Sequence, residues 1–250
     1  APLLFGFVLP GAQLLVWAAR TYEVMVDARF GALMLHSLGL AGAAATIALL
    51  LALILAYVRR ANPTRVVCAA TRVAATGYAV PGTVIAAGVL LPFAWLDNTI
   101  NDMMTQIFGI STGLLFSGTI FALLFAYTVR FLAVSLQTVE TGLGRITQAM
   151  DEVGRSLGHR AHEVVWRVHV PILRGSLLTA VLLVFVDVMK ELPATLILRP
   201  FGFNTLAVRA HELASDERLE DASTAALAIV LAGLVPVLVL SISIARSRRR

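Results

Sequence analysis

Six apolar runs partition this 250-residue chain. They cover about 3–19, 33–57, 70–96, 113–136, 172–189 and 223–244. Roughly 18–25 residues is the length a helix needs to cross a hydrocarbon layer about 30 Å thick. Lipid offers no partner to a free backbone N–H or C=O, so spans of this length must be helices. A membrane barrel would show shorter, alternating segments, and these are absent. The expected fold class is therefore all-α and integral to a membrane, with about six crossings in a single transmembrane domain over 1–250. Composition agrees: 58% of residues are hydrophobic and 14% charged, with mean hydropathy +0.84. A soluble domain carries about 25% charged residues.

The net charge of +5 is almost wholly arginine, since Lys190 is the sole lysine. On a soluble chain such a balance would suggest nucleic acid. Here the arginines sit between apolar runs, so they read as topology signals, with membrane lipid and no nucleic acid as the partner. Arg59, Arg60 and Arg65 follow run two; Arg145, Arg155, Arg160 and Arg167 follow run four; Arg246, Arg248, Arg249 and Arg250 close the chain. Six crossings place all three groups on one side, eleven arginines against five. The positive-inside rule makes that side cytoplasmic, with both chain ends there. Arg72 and Arg130 are expected near cytoplasmic helix ends, where long stems snorkel. Ala1 begins almost inside an apolar run, which suggests a piece of a longer chain with its missing part upstream.

Small residues crowd two of the runs: Gly39, Gly42, Ala43, Ala44 and Ala45 in the second, and Gly77, Gly82 and Gly88 in the third. They allow close helix approach. Pro81 is expected to kink the third helix, and Pro10 and Pro236 the first and sixth. Cys68 stands alone, so no intrachain disulfide or zinc cluster can form around it. Asp187, Lys190 and Glu191 are the unusual charges of the bundle. At spacings of three and four they share roughly one helix face. Together with Pro81 and Gly82 they are the candidates for a pathway lining or gate; a local Asp187–Lys190 pair at the helix end is the plainer alternative.

The polar segment 137–171 is long and shows helical periodicity. Two short helices are expected, one from Thr147 to Leu157 and one over Arg160–Val168. Thr147 caps the first, Gly158 breaks the run, and Pro171 ends the second. A helix–glycine–helix plug of this kind suits a groove in a soluble partner.

At these residues the chain resembles the permeases of binding-protein-dependent ABC importers. Their cytoplasmic signature is a Glu-Ala-Ala triplet, three residues, glycine, nine residues, then an apolar residue, any residue, an apolar residue and proline. Here Glu152-Val153-Gly154 stands for the triplet, Gly158 for the glycine, and Val168-His169-Val170-Pro171 for the end. Val153 and Gly154 depart from the usual alanines. The resemblance implies a type I importer permease fold whose coupling helices dock an ATP-binding subunit dimer. It makes Glu152, Val153, Gly154, Arg155, Leu157, Gly158 and Pro171 the coupling residues. It also implies an extracytoplasmic solute-binding protein, a second permease half and a bacterial plasma membrane, with no cofactor or metal.

A second likeness covers 184–221. Lys190-Glu191-Leu192-Pro193 and Arg199-Pro200-Phe201-Gly202 resemble the ferric-iron subgroup, whose members often fuse two permease halves. Thiamine, polyamine and phosphonate importers have related permeases and remain alternatives. The loop 190–221 is expected to be a solvated outer surface; its cluster Asp216, Glu217, Glu220 and Asp221 lacks the spacing of a calcium loop.

Rival classes fare worse. An intramembrane hydrolase needs a nucleophile and base that converge. His36 and Ser37 are neighbours in sequence and diverge around a helix, and Ser117 and Ser135 have no evident base. His159 and His162 could hold zinc in principle. No Gly-rich phosphate loop with lysine is present, so ATP hydrolysis falls to a partner and the chain is not an enzyme. A passive channel would need no ATPase dock.

Overall fold

The computed structural model describes residues 2–156, 158 and 160–247. Leu157 and His159, both singled out by sequence, lie outside the described residues, as does the side chain of Arg155. Among the described residues the regular structure is helical throughout. Six helices there are long and apolar enough to cross a membrane: Leu4–Met25, Ala28–Ala61, Gly82–Phe108, Ile120–Leu143, Val165–Met189 and Leu219–Leu238.

In chain order the elements are α1 (Leu9–Met25, entered through a π turn at Leu4–Val8), α2 (Ala28–Ala61) and α3 (Arg65–Ala74). A 3₁₀ turn at Gly77–Ala79 leads to α4 (Gly82–Phe108), then α5 (Ile120–Leu143), α6 (Gln148–Ser156) and α7 (Ala161–Val164). A π turn at Val165–His169 continues into α8 (Val170–Met189), followed by α9 (Pro193–Leu198), α10 (Leu206–Ser215) and α11 (Leu219–Ser247).

The bundle is built on α2, α5 and α8, with α11 against α8 and α1 against α11. Helix α2 starts where Asp27 accepts a 2.8 Å bond from the Phe30 N–H, satisfying one of the orphan donors of the first turn. Its buried stripe is Ser37, Ala41, Ala44, Ala45, Ala48, Ala52 and Ala56, at helical spacing. Of the expected small residues of α2, Ala44 and Ala45 are buried in the close approach, whereas a Cβ on Gly39 or Gly42, or on Gly88 of α4, would meet nothing within 4 Å. The glycines that do matter are Gly77, Gly82 and one unforeseen by sequence, Gly142, whose Cβ would lie 2.9 Å or closer to Ser176 and Leu173 of α8.

The third crossing is broken, not kinked. Helix α3 ends at Ala74, and Val80 and Pro81 take extended backbone (ψ 132° and 140°). Proline disfavours helical geometry in the residue before it, so the helix restarts after it. Pro81 is thus the N-cap of α4 and Gly82 its first residue. The fourth crossing lies seven residues later than hydropathy placed it. Residues 113–119 fold back on α4 instead: Asp97, buried inside α4, accepts from the N–H groups of Leu115, Phe116 and Ser117 at 2.8–3.1 Å and from the Ser117 hydroxyl at 2.5 Å.

Pro171 does not end the second loop helix. The chain runs helically from Ala161 to Met189, and Pro171 sits in the first turn of α8. A proline ring collides with the carbonyl four residues back; the π turn just before it widens the helix there and removes the conflict. Nor is 190–221 a plain solvated loop. Helix α9 buries Ala194, Thr195 and Leu198 against α4 and α5, and α10 buries Leu206, Val208 and Leu213. The acidic stretch Asp216, Glu217 and Glu220 does stay exposed, as expected. Loop 199–204 is fastened to α2, where His36 stacks on Phe203 at 4.4 Å and bonds the Asn204 carbonyl at 3.2 Å. The Ser37 hydroxyl accepts from the Leu206 N–H at 2.8 Å. These polar residues of α2 are structural braces.

Candidate functional site

Two regions concentrate polar chemistry: a charge junction at the broken crossing and the two-helix loop at the arginine-rich end.

At the junction, Gly77 lies so close to α5 that a Cβ there would stand 2.0 Å from the Val129 carbonyl oxygen. The break in the third crossing is therefore level with the middle of α5. Arg130 is the next residue, the eleventh of that 24-residue helix, about 15 Å along it at 1.5 Å per residue. It does not snorkel at a helix end. Its guanidinium reaches Glu191 at 3.4 Å, with the two side chains 20% and 6% exposed, and stacks over Phe131 at 5.5 Å. Gly82 makes the space, because a Cβ on it would lie 2.1 Å from Arg130 Nη1 and 2.7 Å from Glu191 Oε1. The carboxylate of Glu191 also accepts from the Ala194 N–H at 3.1 Å, which caps α9. Thr195 donates to the Glu191 carbonyl at 2.6 Å and pairs with Tyr127 of α5 at 2.5 Å. One polar chain thus ties α5 to the turn after α8 and to α9, packed beside the start of α4.

Of the pathway candidates, the structure brings Gly82 and Glu191 together, with Pro81 adjacent as the cap. Asp187 and Lys190 stand apart. They pair with each other at 2.9 Å, and Lys190 is 64% exposed. That bond holds the Lys190 ammonium above its ordinary pKa, against partial desolvation. Because α8 ends at Met189, Glu191 turns away and the three charges do not share one face. Asp187 instead lines a cleft of about 380 Å³ with Tyr78, Gln137 and Thr138. Sequence reasoning missed Arg130 as a junction residue because it placed the fourth crossing seven residues early. Asp97 was missed because hydropathy closed the third run at about residue 96, whereas α4 runs to Phe108.

The loop at the arginine-rich end is anchored from α2. Arg59 meets Glu140 at 2.7 Å, and Arg60 donates to the carbonyls of Leu143 and Ile146 at 3.2 and 3.0 Å. A cation on the last carbonyls of a helix also suits its dipole. Tyr57 bonds the buried His169 at 2.7 Å, fixing the exit of the loop. Between these anchors α6 projects with Met150 and Val153 exposed at 41% and 59%, and Glu152 exposed beside them. Gly158 has φ +82°, a conformation that favours glycine, and open space where a Cβ would stand. Helix α7 starts with the Arg160 N–H donating to Glu163 at 2.8 Å.

Solved structures share this architecture across nearly the whole chain. A chain of the bacterial alginate ABC transporter, crystallised with an alginate pentasaccharide-bound periplasmic protein, superposes with a TM-score of 0.71 over 99% of this chain and 90% of its own, at 14% identity. A second alginate ABC transporter structure gives a TM-score of 0.72 over 99% and 91%, at 13% identity. This is the fold of an ABC-transporter permease. Among curated proteins, the Fe(3+)-transport system permease FbpB 2 of Haemophilus influenzae is 31% identical over 122 residues, 49% of this chain and 24% of that protein. The putative 2-aminoethylphosphonate transport permease PhnV of Salmonella typhimurium is 32% identical over 126 residues, 50% of this chain and 47% of that one. The matched region thus spans under half the length of these relatives. No family profile matches the chain. The relatives are named as transport permeases, and with the six apolar helices they mark a multi-pass protein of the bacterial inner membrane.

Proposed function

We propose that this chain is the solute-conducting permease domain of an ATP-driven importer, and that α6 and α7 dock a separate ATP-binding subunit dimer. The observation that carries the reading is α6 and its neighbour Gly158: an exposed apolar patch at Met150 and Val153 on an otherwise polar helix, beside a left-handed Gly158, with the flanking segments tied to α2 by Arg60 and Tyr57. An exposed apolar helix face rimmed by charge fits a groove in a soluble partner. The arginine bias supports a cytoplasmic setting for this end and an outer one for the loop 199–204. There a solute-binding protein delivers the solute, and a second permease domain completes the pathway. ATP closes the paired subunits, the loop moves, and the helices rock between two access states.

Ferric iron is the proposed solute, supported by the Lys-Glu-Leu-Pro and Arg-Pro-Phe-Gly stretches and by the Haemophilus relative. A phosphonate is the runner-up, supported by the Salmonella relative. Co-purification with an ATP-binding subunit, compared between wild type and Gly158→Trp, tests the docking. A bulky residue at φ +82° that leaves complex and transport intact ends the coupling proposal. Elemental and mass analysis of the solute on the co-recovered binding protein decides between iron and phosphonate. A gradient-driven flux with no ATP-binding partner would mean a passive channel.

A further inference from the structure

We propose that Arg130 and Glu191 form a breakable latch that holds the pathway shut at the broken third crossing, with Arg130 positioning α9 through Glu191. The inference rests on the importer reading and deepens it. It starts from where the pair sits. Arg130 belongs to α5, Glu191 to the turn after α8, and the pair seats against Gly82 at the first residue of α4. Three chain segments from different crossings meet at a level where one crossing has no α-helix. Non-helical backbone at membrane depth is tolerated where it is buried in protein or lines a cavity, and in transporters such breaks lie near the solute pathway.

The geometry is that of a latch and not of a permanent brace. A structural Arg–carboxylate pair is commonly bidentate and short. Here one nitrogen meets one oxygen at 3.4 Å, and Arg130 Nε is buried with no hydrogen-bond partner. The guanidinium keeps one donor unpaired in this arrangement. Glu191 keeps a partner when Arg130 leaves, because its carboxylate already caps α9 through the Ala194 N–H at 3.1 Å. Helix α9 is coupled to the same carboxylate residue by Thr195 and to α5 by Tyr127. Parting Arg130 from Glu191 therefore removes one of two polar ties between α5 and the α8–α9 turn, the other being Tyr127 to Thr195. A Cβ on Gly82 would meet the ends of the Arg130 and Glu191 side chains and displace them.

The test separates a latch from a fold-stabilising pair. Removing one member of a buried pair leaves an uncompensated charge, whereas replacing both by apolar groups often restores stability. The full-length permease is purified with its ATP-binding subunit in lipid nanodiscs as wild type, Arg130→Met, Glu191→Leu and the double variant, all in a Cys68→Ser background. Complex yield, solute-free ATPase rate and N-ethylmaleimide labelling of a buried reporter, Ala194→Cys, are measured. The single variants are expected to lower complex yield. The double variant is expected to recover yield yet show a severalfold rise in solute-free ATPase rate and in resting labelling. Double-variant ATPase and labelling at wild-type level would overturn the latch and leave the pair structural. If the wild type holds no ATP-binding subunit, the importer reading fails by itself. The labelling comparison, run in native membranes, then still decides whether the pair closes the break.

Discussion

Gly77→Ala is the sharpest probe of the broken crossing. The 3₁₀ turn at Gly77–Ala79 packs backbone to backbone on α5, and an added Cβ would stand 2.0 Å from the Val129 carbonyl oxygen and 3.0 Å from its carbon. Carbon–oxygen contacts below 3.0 Å do not persist, so the turn must retreat by about 1 Å. Neither side can yield by a rotamer change, because the obstructing atoms are main chain. Overpacking of this kind costs about 1–3 kcal/mol. For a chain of this size each kcal/mol shifts the melting temperature by roughly 2–4 °C, so a fall of roughly 2–12 °C is expected. Gly88→Ala is the matched control. It lies on the same crossing, a Cβ there meets nothing within 4 Å, and alanine gains helix propensity of about 1 kcal/mol. Thermal unfolding of both variants in one detergent gives the comparison. A Gly77→Ala protein that melts at or above Gly88→Ala would refute the close approach, and with it the placement of the break beside Arg130.

Three further outcomes follow from particular contacts. Asp97→Ala leaves the N–H groups of Leu115, Phe116 and Ser117 without their acceptor, and should cost at least about 2 kcal/mol in thermal unfolding. Asp97→Asn should recover part of that. Arg60→Ala uncovers the carbonyls of Leu143 and Ile146 at the base of the loop. Its stability loss should stay near 1 kcal/mol, while the ratio of transport to ATP hydrolysis falls further than stability explains. Asp187→Asn breaks a pair with a largely exposed lysine and should change stability by less than about 1 kcal/mol. Unchanged transport in whole cells would remove Asp187 from the gate and leave Glu191.

Legibility in the sequence followed the physical range of each signal. The crossings were readable because lipid imposes a length and a composition on every span. The glycine turn of the loop was readable because it is local, and the φ of Gly158 is a local consequence, whereas Pro171 was misread as a helix end. What failed was register. Residues 113–119 are as apolar as a span, with Leu114, Leu115 and Phe116, so hydropathy began the fourth crossing there. They are held out of helix by Asp97, sixteen or more residues earlier, through backbone donors that no composition window detects. The slip of seven residues then moved Arg130 from the middle of α5 to its end in the sequence reading, and a long basic side chain at a helix end looks like an ordinary snorkelling group.

A different error made the gate look like a single face: helical spacing was carried past the end of α8. Asp187, Lys190 and Glu191 align on one side of a helix only if that helix continues past them, and α8 stops at Met189. Pro193 opens α9 four residues later, and the turn between sends Glu191 inward to Arg130 while Lys190 stays with Asp187. Charge spacing in a membrane chain is thus informative about pairing only where the helix is unbroken through both residues. At a break, the partner of a buried carboxylate has to be sought on another crossing at the same depth. Here the small residue that makes room for it, Gly82, was the sequence's best pointer, since a glycine beside a proline inside an apolar run has no helix-forming reason to be there.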